Sequence, residues 1–194
     1  MADPSNQTAE QPELMRTDLQ RSLRGGPIDP SKLTSFQRIL LTTDGMVTEM
    51  LEANYWERMV VEKLFQEDYP LEEDLPDLEC KAGDHVLDRR IFLRGRMSHL
   101  VRLYAESFIA RDRLPSVIRD GLLNSAKPIG LLILENRLET FREILGCERE
   151  PAGDIGRHFK IAPDDHLISR RYRVIAHGQP MMLITEKFPE REAR

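Results

Sequence analysis

The sequence predicts an α+β domain: about six antiparallel strands, with the helices gathered into two helix–turn–helix pairs. Three patterns predict it. The stretch Ile168–Phe188 reads as two strands joined by a tight turn at His177-Gly178. Gly178 supplies the positive φ such a turn needs, and Pro180 can open a strand but not sit centrally in one. His85–Arg94 alternates, with Leu87, Arg89, Ile91 and Leu93 on one face and Val86, Asp88, Arg90 and Phe92 on the other. Residues 32–54 and 114–135 each hold two short helical stretches split by a breaker.

Taken in order, residues 1–28 are polar and closed by Gly25-Gly26-Pro27, which predicts a flexible tail or a short surface helix at Ala9–Leu23. The domain is expected over 29–190. Asp29-Pro30-Ser31 is an N-cap signal for a helix from Lys32 to Thr42. Thr43-Asp44-Gly45 breaks it, and Met46–Asn54 permits a second helix with Val47, Met50 and Leu51 on one face. A strand is expected over Trp56–Phe65, where β-branched and aromatic residues alternate. The acidic, proline-punctuated run Glu67–Glu79 reads as a solvated loop.

Gly95–Ser98 turns the His85–Arg94 strand back into a partner over Leu100–Ala110. Asp112 is positioned to cap a helix over Leu114–Leu123, with Pro115 in its first turn. Pro128 separates this helix from another at Ile129–Glu135. Strands follow at Glu139–Cys147, weakly at Ile155–Ile161, and in the closing hairpin.

Composition bounds the function. The 194 residues are 40% hydrophobic and 31% charged with a net charge of −5, which disfavours general nucleic-acid binding. No apolar run is long enough to cross a bilayer, and the first residues lack a secretory pattern, so a cytoplasmic protein without membrane insertion is expected. Cys80 and Cys147 are too few and too far apart for a disulfide scaffold or zinc site, and read as reduced thiols. The five histidines are scattered and are expected at exposed turns. Phosphate-binding glycine loops, dinucleotide fingerprints, nucleophile elbows and zinc-protease motifs are all missing.

Two charges on apolar rows remain. Arg89 is in line with three aliphatic residues, and Glu186 is in phase with Met182 and Ile184. A charge on an apolar row is costly unless it is paired or used. One reading is a buried Arg89–Glu186 salt bridge that holds the sheet together. The other puts the two at opposite ends of a pocket, the guanidinium gripping a ligand carboxylate and the carboxylate handling a hydroxyl or a proton. Spacing leaves both open.

Several segments together resemble the chorismate pyruvate-lyases: Arg38–Gly45, Arg89–Leu93, Ala105–Pro115, Pro128–Gly130, Arg170–Ile175 and Gly178–Glu186. Their order and spacing carry the resemblance, which runs from about Leu33 to Phe188. It implies a six-stranded antiparallel sheet with two helix–turn–helix flaps covering an internal ligand cavity. It also implies conversion of chorismate to 4-hydroxybenzoate and pyruvate without metal or organic cofactor, for a quinone or phenolic-lipid pathway. By the same resemblance the ligand arginine falls on Arg89 and the ligand glutamate on Glu186, and the flaps contribute Met46 and Ile129. The chemistry of the substrate then assigns the ring carboxylate to Arg89 and the 4-hydroxyl to Glu186, which, if burial keeps it protonated, is also the expected proton donor to the departing side chain. A second cation is needed for the enolpyruvyl carboxylate. Arg170, Arg171 and Arg173 are candidates, and alternation sends Arg170 to the face opposite the other two; Arg171 and Arg173 are taken as the binding pair. The protein is expected as a monomer or dimer. The alternative is a non-catalytic aromatic-acid sensor of the same fold, as in some bacterial transcription regulators. The segment before Asp29 is short and poor in apolar periodicity for a winged helix, which weighs against that alternative.

Overall fold

The computed structural model describes residues 28–125 and 127–191. Six strands form one antiparallel sheet in the order β1-β2-β3-β6-β5-β4: β1 Met59–Pro70, β2 His85–Gly95, β3 Val101–Ala110, β4 Phe141–Pro151, β5 His166–Ala176 and β6 Gln179–Pro189. Two helix pairs lie outside it, α1 (Ser35–Thr42) with α2 (Val47–Tyr55) and α3 (Ser116–Asn124) with α4 (Ile129–Glu135). The predicted class and both helix pairs are therefore present.

The flap helices form where apolar residues recur at helical spacing. Leu40 and Leu41, Val47 and Leu51, Ile118 and Leu122, and Leu132 and Ile133 are the buried residues of the four. They join one core with Ile91, Leu93, Ile109, Met182 and Phe188 of the sheet. Each such side chain stabilises by about 1.5–3 kcal/mol, which is what docks helices too short to stand alone.

Several boundaries differ from expectation, each for a local reason. Asp29 caps only a 3₁₀ turn at Pro30–Lys32; α1 starts later, where Thr34 and Gln37 exchange the two bonds of a capping box. Trp56 lies in the left-handed conformation (φ 54°) and ends α2 instead of opening β1. β1 begins at Met59 and runs through the acidic residues to Pro70, because pairing with β2 overrides composition. The rest of the acidic run is not wholly solvated either, since Leu78 and Cys80 are buried in a satellite core behind the sheet. Asp112 sits in a 3₁₀ turn, and Pro115 holds the N-cap position of α3 without a side-chain bond. Residues Gly153–Phe159 form a short helical turn where a weak strand was expected. The proposed tail and its helix at Ala9–Leu23 lie outside the described residues, but Ile28 is buried, so the folded body begins no later than that residue.

The closing hairpin turns on His177 (φ 52°) and Gly178 (φ 74°), the pair of positive φ values that matches the strand twist. That turn sets the register of β5 against β6. Through the paired strands, side chains on one face fall into cross-strand rows. Leu87, Ile109, Met182, Val174 and Arg142 make one; Arg89, Ser107, Ile184, Tyr172 and Ile144 the next; Ile91, Ala105, Glu186, Arg170 and Cys147 a third. This face meets the flaps. The other face carries Phe92, Tyr104 and Leu167, which form a separate satellite core with Phe159 of the Gly153–Phe159 turn.

Candidate active site

The rows place four charged groups on the flap-facing side of the sheet, and three of them, Arg89, Glu186 and Arg142, line one cavity under the flaps. Sheet residues Ser107, Tyr172 and Ile184 complete its floor, and Met46 and Ile129 come from the two flaps. It offers about 60 Å³ to the centres of water molecules, several times the roughly 10–15 Å³ that one water needs. A wider groove lies between α1, α2 and the end of β6. The guanidinium there, Arg102, already stacks 3.7 Å over the Tyr55 ring.

Arg89 is 1% exposed, yet it has no carboxylate partner among the described residues. Its Nε is buried and unbonded, and one Nη donates a long 3.4 Å bond to the Lys127 carbonyl of the second flap. Burial pushes its pKa down to about 10, which leaves it cationic at neutral pH. A buried cation without a counter-charge is costly, so its position calls for an anion in the cavity.

Glu186 does form a buried salt bridge, but with a different arginine. Arg170, also 1% exposed, donates from Nε to Glu186 Oε2 at 2.7 Å, and the Tyr172 hydroxyl donates to Oε1 at 3.0 Å. Arg170 further donates from Nη1 to the Thr43 carbonyl of the first flap at 2.6 Å. Burial alone would lower the pKa of Arg170, but the Glu186 carboxylate and the neighbouring Tyr172 raise it. Burial, followed by the charge of Glu186, raises that of Tyr172, which stays a protonated donor. Glu186 thus accepts at both oxygens. The expected role as a proton donor does not fit this arrangement, whereas an acceptor for a ligand hydroxyl does.

Of the residues singled out in the sequence, the structure brings Arg89, Glu186, Met46 and Ile129 to one cavity. Arg171 and Arg173 are not among them. Arg171 pairs with Asp77 at 2.7 Å, and Arg173 with Glu143 at 2.5 Å and Glu79 at 3.5 Å, on the opposite face of the sheet. The reason is the strand period: Arg170, Tyr172 and Val174 share the flap-facing side, which turns residues 171 and 173 away. Arg170 was a candidate set aside for the wrong pair, and Tyr172 and Arg142 were missed. The row Ile168, Arg170, Tyr172, Val174 is the more apolar of the two on β5, and that was the available signal. Among the described residues no cluster of histidine, cysteine or carboxylate side chains is placed to hold a metal ion. No helix of the described residues is long and apolar enough to cross a membrane.

The flaps meet over the cavity. A Cβ on Gly130 would lie 2.6 Å from Met46 Cγ and 2.8 Å from its sulfur. Gly130→Ala is therefore expected to push the flaps apart while improving helix propensity in α4. Overpacking of this kind costs about 1–3 kcal/mol. Ligand affinity should fall by roughly tenfold or more with little change in melting temperature; titration and thermal denaturation of the same sample check both.

Fold and site together define a class: a sheet-and-flap domain enclosing a cavity lined by a buried arginine that has no counter-charge among the described residues. Solved structures share the architecture. The effector domain of PhnF from Mycobacterium smegmatis aligns with a TM-score of 0.61 at 12% identity, over 78% of this chain and 93% of that one. The ligand-binding domain of a putative GntR-family transcriptional regulator from Bordetella bronchiseptica aligns at 0.53 and 17% identity, over 68% of this chain and 82% of that one. Those likenesses are to the fold. Sequence is more specific. Residues 41–194 match the family described as Rv2949c-like chorismate pyruvate-lyase, and the chain belongs to that family. The chorismate pyruvate-lyase of Mycobacterium leprae (strain TN) is 32% identical over 166 residues, covering 81% of this chain and 75% of that protein. The enzyme of the same name from Mycobacterium tuberculosis (strain ATCC 25618 / H37Rv) is 33% identical over 162 residues, 81% of each.

Proposed function

We propose that this protein is a chorismate pyruvate-lyase that releases 4-hydroxybenzoate and pyruvate. The single observation that carries the reading is the unpaired, buried Arg89 guanidinium sharing a cavity with Glu186. Chorismate is a cyclohexadiene carboxylate with an enolpyruvyl ether next to a hydroxyl. Loss of the ether group, with the hydrogen on the hydroxyl-bearing carbon, aromatises the ring. The driving force lies in the substrate; the protein need only hold a reactive conformer and stabilise the charge that develops on the departing oxygen.

In this reading Arg89 grips the ring carboxylate at one end of the cavity. Glu186, held by Arg170 and Tyr172, accepts the hydrogen bond of the ring hydroxyl. Ile91, Leu103 and Ile184 pack against the ring, and Met46 and Ile129 cover it. The protonated Tyr172 hydroxyl also faces the cavity, in reach of the same end as Glu186. Use of the product in quinone or phenolic-lipid assembly is the outlet that the sequence resemblance suggests.

The test is direct. The purified full chain incubated with chorismate should release 4-hydroxybenzoate, followed by its absorbance, and one pyruvate per ring. Binding of 4-hydroxybenzoate without consumption of chorismate would place the protein among the aromatic-acid sensors instead.

A further inference from the structure

Chorismate carries two carboxylates, and Arg89 accounts for one. Resting on the reading above, the question is which group meets the other. Arg171 and Arg173 face away, and Arg170 is committed to Glu186 and to the Thr43 carbonyl. One cation lining the cavity is left, Arg142 on the edge strand β4.

Arg142 has no carboxylate partner among the described residues. Its contact is of another kind: Nη1 donates to the main-chain carbonyl of Asp44, in the connection between α1 and α2, at 2.5 Å. A carbonyl carries no net charge, so the guanidinium still lacks a counter-ion and keeps unused donors. Register places it opposite Val174, one row from Tyr172, and its charge is felt at the Tyr172 hydroxyl.

The strand order gives this position its meaning. Along β1-β2-β3-β6-β5-β4, Arg89 stands on the second strand, Glu186 on the fourth, and Arg142 on the last. Arg89 and Arg142 are four strand spacings apart, about 19 Å at the backbone, before their long side chains reach inward. Glu186 lies midway between them in strand order. Chorismate has the same order of groups: the ring carboxylate at one end, and the hydroxyl and the enolpyruvyl ether side by side at the other. A substrate placed by Arg89 and Glu186 therefore directs its side chain toward β4.

We propose that Arg142 binds the enolpyruvyl carboxylate and is the residue that distinguishes substrate from product. The Asp44 carbonyl fixes one arm of its guanidinium when the first flap is closed, so the remaining donors are pre-oriented for a bidentate carboxylate contact. 4-Hydroxybenzoate has no group to place there.

Kinetics of Arg142→Gln and Arg142→Lys, with 4-hydroxybenzoate binding measured on each, test this. In Arg142→Gln, kcat/KM for chorismate should fall about 100-fold, mostly through KM, while Kd for 4-hydroxybenzoate stays within threefold. Arg142→Lys, which keeps the charge but not the fork, should recover part of the loss. Wild-type kinetics in Arg142→Gln, or a parallel loss of product affinity, overturns the assignment. A second measurement needs no turnover, and its first arm needs no variant. The wild-type protein should bind 3-(1-carboxyethoxy)benzoate, which has both carboxylates, at least tenfold more tightly than 3-ethoxybenzoate, and Arg142→Gln should lose that preference. Equal wild-type affinities overturn the proposal. If wild type leaves chorismate intact but keeps an Arg142-dependent preference for the diacid, the lyase reading falls and the role of Arg142 stands.

Discussion

Arg89→Met is expected to weaken 4-hydroxybenzoate binding by about 2–5 kcal/mol, a factor of roughly 30 to several thousand in Kd. The loss follows from leaving a ligand carboxylate in an apolar cavity without its cation. The same substitution should act in the opposite direction on the empty protein. Arg89 is buried with an unbonded Nε and no counter-charge among the described residues, and such a charge costs several kcal/mol to hold. Methionine, of similar length and without charge, removes that cost, so the unliganded variant should melt at a higher temperature than wild type. Gain of stability with loss of binding is the signature of a residue kept for a ligand. Calorimetric titration and thermal denaturation of one preparation give both numbers. Undiminished affinity for 4-hydroxybenzoate would remove Arg89 from the site.

Arg170→Met should behave the other way. Arg170 is the counter-ion of Glu186 and also ties the first flap through the Thr43 carbonyl. Removing it leaves a buried carboxylate with only the Tyr172 hydroxyl as donor. Breaking a buried pair from one side costs about 3–5 kcal/mol, which for a domain of this size is a drop of roughly 6–20 °C in melting temperature. The double variant Arg170→Met/Glu186→Leu should regain most of that stability, because apolar groups replace both charges, while binding no aromatic acid. If Arg170→Met melts with wild type, the ion pair is not what holds this part of the core. The contrast between the two arginines follows from their partners, since both are equally buried.

Most of the architecture was legible in local patterns. The period-2 alternation of His85–Arg94, the helical spacing in the two flaps and the His177-Gly178 turn all correspond to elements in place. Boundaries drifted where a neighbour decided the matter. β1 extends into acidic residues because β2 supplies hydrogen-bond partners as far as Pro70, and the segment near Ile155 coils because no strand is paired with it. The site was half legible. A charge on an apolar row identified Arg89 and Glu186, and that cue works within a single strand. It failed on β5, where arginines occupy both faces and charge alone does not say which one is buried.

By itself, then, the sequence determined which strands and helices form and which face of each is apolar, since these depend on side-chain order over a few residues. Only the tertiary structure decided who pairs with whom. Glu186 meets Arg170 and not Arg89 because β6 lies next to β5 and two strands away from β2. Arg142 reaches the cavity because β4, although at the edge, is in register with Val174 on the flap-facing side. Ion pairing falls off with distance across the sheet, and strand order, set by the long connections, fixes that distance.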